Sequence, residues 1–499
     1  MQAWIVPGAP FVDGWRLWYA TDGAPPSSPR VSWRGQSLSV QFDVSPPLSL
    51  PGFSRTVFHA RLRTPAQLPP GAEASVFIPE TGETHRWSTL PATLPPEGLS
   101  FVFGSCYWRE ADKGAVLRAL KDIISIESPR PLFKLLLGDQ LYLDWPPDVA
   151  PWKLAKGGTA LVADRYRDYW GDDDYRRFLG LLPNLVVCDD HEFWNNYPEL
   201  QLQLPITYSN KLRQEFAAAA ARYYQDFQAC LNQSKLTDPP QAWTELQLGP
   251  VSLFIADTRS QRSLHGAKEP QLMAAEQWAA LEAWQRGLRG PGLLALGQPL
   301  LQCDGNFTDY ALSNFVADYR RLLALLEASA KGINTEGKPH NIVILSGDIH
   351  NARCTYATIP CMPAATAASS DLRRVHELVA SASSTLVTGI GKPQPGKLPG
   401  TIPEGKADRT FRNRWKVQPV EDTVPYAAPP LPNAPYACVD NNIGVLRLQP
   451  SATTSGGVTL RYLSYRIRPH HGSLLQRIVK PEEAAQGTTE IYSCTLELQ

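Results

Sequence analysis

Up to about residue 98, apolar positions alternate with polar ones in short runs such as SLSVQFDV (37–44), RTVFHARLR (55–63) and EASVFIP (73–79). These runs are rich in β-branched and aromatic residues and are broken by Pro, Gly and Ser, so they predict short strands with one face buried. A small β-sandwich of fibronectin or immunoglobulin type is expected for 1–98. From Phe101 the texture changes. Short, fully apolar runs alternate with segments of helical periodicity at 112–125, 211–231, 269–288 and 314–331, the pattern of an α/β unit with strands buried on both faces. That unit is expected to fill 99–499. It includes a Pro- and Gly-rich stretch at 389–435 and returning strands at NIGVLRL (442–448) and VTLRYLSYRI (458–467). Lys406, Arg409, Arg412, Arg414 and Lys416 cluster in the Pro/Gly-rich stretch. They are expected to be a solvated face of a surface loop, with a phosphate-attracting lid as the minor alternative.

Six of the apolar runs end in residues that a core does not select: FVFGSC (101–106), LFKLLLGDQLYLD (132–144), NLVVCDDHEFWNN (184–196), VSLFIADTRSQR (251–262), LLALGQP (293–299) and NIVILSGDIHNAR (341–353). In layered α/β proteins the carboxyl ends of strands open onto one crevice, so groups emerging there converge. Among them are Asp139, Asp189, Asp190, His191, Asp257, Asp348 and His350. Clustered carboxylates raise one another's pKa and resist ionisation unless cations neutralise them, so the pattern predicts bound metal. A shared aspartate can bridge ions roughly 3.5 to 4 Å apart, the arrangement that clamps both oxygens of an in-line phosphoryl displacement. Asp139, after Gly138, is the candidate bridge. Tyr142 and Cys106 add a possible phenolate and thiolate, which with carboxylate suit iron, while Asp190 and Asp348 suit a harder divalent ion such as calcium, magnesium or manganese.

Composition narrows the class further. Apolar residues make up 43% and charged residues 19%, with 48 Lys plus Arg balancing 48 Asp plus Glu. Such a balance predicts a folded globular chain with no broad field for nucleic acid. No apolar run is long enough to span a membrane and the first residues lack a leader pattern, so a cytoplasmic location is expected, with periplasm or secretion left open. Eight irregularly spaced cysteines suggest reduced thiols more than a disulfide framework. Ser105 lacks the GxSxG elbow of a serine hydrolase, and neither a nucleotide-binding glycine loop nor structural zinc spacing is present.

The motifs GSC, GDxxYxD, DDHExxxN, DTR and SGDxH, in this order from Phe101 to Arg353, resemble those of the PhoD-like branch of the calcineurin-type metallophosphoesterases. ELVASASS (377–384) and DNNIGVL (440–446) also look like that family. The resemblance implies a four-layer αββα sandwich with metals between two central sheets, behind an N-terminal β-domain. It implies phosphomonoesterase or phosphodiesterase activity with iron and calcium, magnesium, manganese or zinc being alternatives. Carried over by position, Cys106, Tyr142, Asp139 and His350 would hold the first ion, and Asp190 and Asp348 the second beside the shared Asp139. His191 would then be free to meet the transferring group or protonate the leaving oxygen, and Arg259 and Asn196 would contact phosphate oxygens. The nucleophile would be a metal-activated water or hydroxide.

The chain departs from the wider superfamily, with GSC, DDH and GDIH where that superfamily has DxH, GNH and GHxH, and with Gln298 or Gln302 near the place of a further histidine ligand. Taken singly, Cys106 and Tyr142 read as core residues, Asp139 and Asp190 as helix caps, Arg259 as a structural ion pair, and Asp257 as support for its neighbours. The expected function is a phosphomonoesterase with an alkaline optimum on small organic phosphates. A diesterase acting on nucleotides or phospholipids is the nearest alternative, and a catalytically silent scaffold the alternative of another class. The oligomeric state is left open.

Overall fold

The structure is a computed structural model that describes residues 3–145, 157–201, 204–237, 241–302, 310–359, 374–384, 398–399, 401–402, 415–420, 437–438, 440–454, 456–468 and 489–499. Lys406, Arg409, Arg412 and Arg414, and with them most of the Pro/Gly-rich stretch, lie outside these residues. Lys416 is exposed on the strand Trp415–Pro419.

Residues 4–88 form two antiparallel sheets, as the alternating pattern predicts. One runs Trp4–Phe11, Gly14–Thr21, Thr56–Arg63, Gln41–Val44, with Leu48–Ser49 also on Thr56–Arg63; the other runs Gln36–Leu38, Arg30–Trp33, Glu73–Ile78, Glu83–Ser88. Trp15, Leu17, Tyr19, Phe58 and Leu62 share an apolar cluster with Val31, Val76, Ile78 and Trp87 between the sheets. The strand Gly14–Thr21 is buried along its whole length, because its opposite face, Trp18 and Ala20, packs with Tyr166, Ala220 and Phe227 of the later helices. Trp18 Nε1 donates to Asp226 O at 2.8 Å, Trp87 Nε1 to Gly180 O at 3.1 Å and Asn184 Nδ2 to Pro7 O at 2.6 Å. The N-terminal strands are thus fastened to the body that follows.

Two larger mixed sheets carry that body. The six-stranded sheet is ordered Asn184–Val187, Lys134–Leu137, Leu99–Gly104, Asn441–Pro450, Val458–Arg468, Thr489–Leu498. Its first three strands are parallel and the rest antiparallel. The nine-stranded sheet runs Trp243–Leu248, Val251–Ala256, Gly292–Ala295, Ile342–Ser346, Arg374–Val379, Ala352–Thr358, Trp415–Pro419, Thr401–Ile402, with Ala437–Cys438 paired to Ala352–Thr358. Val251–Ala256 to Arg374–Val379 are parallel neighbours.

Alternate residues of these strands join different clusters, which is why the runs read as uninterrupted apolar stretches. Leu135, Leu137, Leu185 and Val187 share one cluster with Leu253, Ile255, Val343 and Leu345 of the other sheet. Leu136 and Val186 meet helical Leu120, Val162 and Leu179, while Phe254, Leu294 and Ile344 meet helical Trp278, Leu281 and Leu322. Lys134 is the one charge in its strand. Its Nζ donates to Leu179 O and Leu182 O at 3.1 and 2.8 Å, satisfying carbonyls at the end of the helix Asp173–Leu181. Burial pushes its pKa well below the lysine range.

Helices fall close to the periodic segments, with boundaries moved by local chemistry. The segment 112–125 becomes a helix at Ala115–Ile126, because Lys113 and Gly114 are left-handed and Asp112 Oδ1 accepts from Val116 N at 2.9 Å as a cap. The helix expected from 269 starts at Ala275, since Pro270 and a Ser263 N to Gln271 O bond hold the preceding residues in a loop. The helix expected over 211–231 is Asn210–Phe227 and that over 314–331 is Val316–Ala330. Gly158–Trp170 and Asp173–Leu181 add two helices. Among the described residues no helix is long and apolar enough to cross a membrane.

Candidate metal centre

Each motif begins where a parallel strand ends. Ser105 and Cys106 follow Leu99–Gly104, Gly138 and Asp139 follow Lys134–Leu137, and Asp189 to Glu192 follow Asn184–Val187. From the other sheet come Asp257 to Arg259 after Val251–Ala256, Gln298 after Gly292–Ala295, and Asp348 to His350 after Ile342–Ser346. The chain must turn sharply at these points. Of the seven non-glycine residues with positive φ among the described residues, five are Cys106, Asp139, Asn196, Asp348 and His350. Such conformations cost about 1–3 kcal/mol each and persist where surrounding structure enforces them, commonly at functional sites. Glycines let the turns approach: a Cβ on Gly138 would lie 2.4 Å from Asp189 Cβ, and one on Gly347 2.4 Å from Ser105 Oγ.

The result is a buried nest of carboxylates. One oxygen each from Asp139, Asp189, Asp190 and Asp348 lies within 4.8 Å of the others, and Asp139, Asp190 and a ring nitrogen of His191 form a second such group. Cys106 Sγ stands 3.3 Å from Asp139 Oδ2 and 3.3 Å from Ser381 Oγ. Tyr142 packs its ring against His191 with centroids 4.1 Å apart. His350 lies beside this cluster through its backbone N, which donates to Ser381 Oγ at 3.1 Å.

Other side chains hold the turns in place. Glu192, wholly buried, accepts from the backbone N of Asp139, Gln140 and Asp189 at 2.9, 2.7 and 3.0 Å. Gln298 donates Nε2 to Asp348 Oδ2 at 3.1 Å and accepts from Arg262 Nη2 at 2.7 Å. Asn442 Nδ2 donates to Ser381 O at 2.6 Å, so the motifs at 377–384 and 440–446 meet beneath Cys106. Asp257 caps its own turn, accepting from Arg259 N, Ser260 N and Ser260 Oγ at 2.9, 2.8 and 2.6 Å.

Arg259 is fully buried and points its Nε at Asp189 Oδ1, 2.8 Å away, with Nη1 donating to Tyr197 O at 3.1 Å. Asn196 donates its backbone N to Asp190 Oδ2 and accepts at Oδ1 from Tyr310 N. His191 Nδ1 lies 2.7 Å from Asp144 Oδ1, a pair with side chains only 12% and 7% exposed, and Asp144 Oδ2 accepts from Asn195 N at 2.9 Å.

Electrostatics follow from this geometry. Burial, with Asp190 and Asp189 adding to it against His191, raises the Asp139 carboxyl well above its usual range. Burial lifts Asp189 to about 8 despite Arg259, and lifts Glu192 to about 8 despite its backbone donors. Burial also opposes ionisation of Asp190, but Arg259, His191 and the Asn196 amide outweigh it and hold the group low. Burial alone would lower His191, yet Asp144, Asp190 and Asp139 raise it well above the ordinary histidine value. Burial and the nearby carboxylates raise both Cys106 and Tyr142.

The donor set fits metal. Tyr142 Oη, Asp189 Oδ2 and Asp190 Oδ1 are buried without a hydrogen-bond partner among the described residues, a costly state for polar and anionic atoms unless a cation meets them. Arg259, Arg262 and His191 do not neutralise four adjacent carboxylates with the further acid Glu192 behind them, so cations are the physical solution to the nest.

Asp144, Asp189, Glu192 and Gln298 carry structural or electrostatic work to which the motifs alone assigned no role. Asp144 was visible as the last residue of GDQLYLD, and Glu192 as the residue three after Asp189, the spacing of a capping box. The pairing of Asp144 with His191 leads to a test. Asp144→Asn is expected to lower kcat by about 10- to 100-fold with KM nearly unchanged, measured on para-nitrophenyl phosphate, and Asp144→Glu to recover part of the loss. Unchanged kcat would show that Asp144 does not orient the imidazole.

Comparison with known proteins agrees with the site. Residues 124–291 match the family described as PhoD-like phosphatase. The solved structure titled "Structure of PhoD" is similar with a TM-score of 0.59 at 15% identity, over 99% of this chain and 91% of that chain, which at such identity shows a shared fold. No curated protein matches the chain. The matched segment spans the turns bearing Asp139, Asp190, His191 and Arg259, so over residues 124–291 the chain is similar to the PhoD-like phosphatases, and this match together with the carboxylate nest supports a phosphoester hydrolase.

Proposed function

We propose that the protein is a phosphomonoesterase with an alkaline optimum, acting on small organic phosphates through a pair of metal ions. The observation that carries this reading is the meeting of Asp139, Asp189, Asp190 and Asp348 within 4.8 Å. In this reading Cys106, Tyr142, Asp139 and His350 would hold an iron ion, and Asp190 and Asp348, with Asp139, would hold calcium. Proximity of Cys106 Sγ to Asp139 Oδ2 and the partnerless Tyr142 Oη support the first set. The chemistry the ions supply when bound is neutralisation of phosphate charge and a lowered pKa for an attacking water.

The chain's own groups do the remaining work. His191 keeps its Nδ1 proton on Asp144, which leaves Nε2 to hold a proton for the departing alcohol oxygen, and the carboxylates of Asp144, Asp190 and Asp139 favour that protonated form. Arg259 acts through Asp189, offsetting its charge and fixing its direction, and Asn196, whose backbone amide secures the Asp190 turn, would contact a phosphate oxygen. The proposed architecture is a four-layer αββα sandwich at 99–499, its metals between the two large sheets, with 1–98 as a β-domain.

The test compares hydrolysis of para-nitrophenyl phosphate with that of its bis-ester. A kcat/KM at least tenfold higher for the monoester is expected. A tenfold preference for the bis-ester would overturn the monoesterase reading in favour of a diesterase.

A further inference from the structure

Cys354 and Cys494 lie 140 residues apart in sequence, yet their Sγ atoms are 2.9 Å apart. Cys354 sits on Ala352–Thr358 of the nine-stranded sheet, four residues beyond His350. Cys494 sits on Thr489–Leu498, the edge strand of the six-stranded sheet. Both are buried, at 0% and 2% exposure, in the apolar cluster shared by the two sheets. Neither has a place in the metal centre described above.

We infer that Cys354 and Cys494 are a modification site, oxidised to a disulfide that joins the two central sheets covalently. The physical case rests on position. The metal ligands come from both sheets, Cys106, Asp139 and Asp190 from one and Asp348 and His350 from the other. Those halves are otherwise held in register by packing and by non-covalent polar contacts such as Arg259 with Asp189, Asn442 with Ser381, and a latch in which Gln499 N donates to Asn341 Oδ1 at 2.9 Å and Asn341 N to Gln499 O at 3.1 Å. A bond between Cys354 and Cys494 ties the strand leaving the Asp348 turn to the same edge strand. It constrains the unfolded chain by closing a long loop.

The chemistry is thiol–disulfide exchange with a small disulfide such as oxidised glutathione. One cysteine thiolate attacks a glutathione sulfur, forming a mixed disulfide and releasing one glutathione thiolate. The second cysteine thiolate then attacks the protein-side sulfur and releases the second. Two electrons pass from the cysteines to the glutathione disulfide, and their two protons end on the two glutathiones. Access comes from the position of Thr489–Leu498 at the sheet edge, where among the described residues its ladder partner is Val458–Arg468, so opening that ladder and the Gln499–Asn341 latch exposes Cys494.

The experiment uses the full chain, incubated with oxidised glutathione, alkylated in denaturant and digested without reductant. A peptide pair linking Cys354 to Cys494 is expected, with two hydrogens fewer than the sum of its reduced halves. Thermal unfolding is expected about 5 °C higher for the oxidised than for the reduced protein. Cys494→Ser should abolish both the linked pair and that difference while leaving hydrolysis of para-nitrophenyl phosphate intact, so the result is separable from the proposed function. Finding both cysteines alkylated, finding Cys354 joined instead to the neighbouring Cys438, or finding equal unfolding temperatures despite the link would each overturn the inference.

Discussion

Asp139→Asn is expected to lower turnover of para-nitrophenyl phosphate by about 1,000-fold or more, an increase of about 4 kcal/mol in the activation barrier, and to lower the metal content of the purified protein. Asp139 and Asp190 are the carboxylates common to both candidate ligand groups, and Asp139 also stands 3.3 Å from Cys106 Sγ. Its backbone is left-handed at φ 53°, a conformation that asparagine tolerates better than most residues. An amide oxygen can still accept the His191 N–H that Oδ1 now takes at 3.2 Å. Asparagine therefore removes charge while sparing the turn, and loss of activity with an intact far-ultraviolet spectrum points to the metal. Elemental analysis alongside kcat is the check. Undiminished turnover would remove Asp139 from the mechanism.

Glu192→Ala should act on stability as well as activity. The carboxylate gathers three backbone N–H groups from the two turns that present Asp139 and Asp189, and none of these donors lies near bulk water, since Asp139, Gln140 and Asp189 are all buried. Removing a shared acceptor strands each donor at about 1–3 kcal/mol, and partial relaxation leaves a total loss of about 3–5 kcal/mol. Urea unfolding of the metal-loaded protein measures it. Glu192→Gln, which keeps one acceptor oxygen, is expected to lose about half as much. A loss below about 1 kcal/mol for Glu192→Ala would mean that the turns hold their shape through the strands alone.

These two residues illustrate different degrees of legibility. Asp139 stands out in the sequence because a carboxylate directly after Gly138 interrupts the apolar run LFKLLL, and only a special role tolerates charge there. Glu192 lies in the same DDHE string as Asp190 and His191, but it points back to the backbone while they face the nest. Sequence distinguishes such directions poorly, because a short turn offers several side-chain orientations and the neighbouring strand selects among them.

What the sequence by itself determined is local: the alternating strands up to Ser88, the uninterrupted apolar runs that became parallel strands, and the chemistry placed at their carboxyl ends. Period-two and period-3.6 patterns are properties of neighbouring residues, so they survive without knowledge of the fold. Tertiary structure alone decided that Gly14–Thr21 is buried on both faces, that Arg259 meets Asp189 70 positions away, that Asp144 reaches His191 47 positions away, and that Cys354 meets Cys494. Those pairings depend on which strands lie side by side and which faces are turned inward, and sheet order is a collective outcome of burying all the apolar faces at once rather than a feature of any one segment.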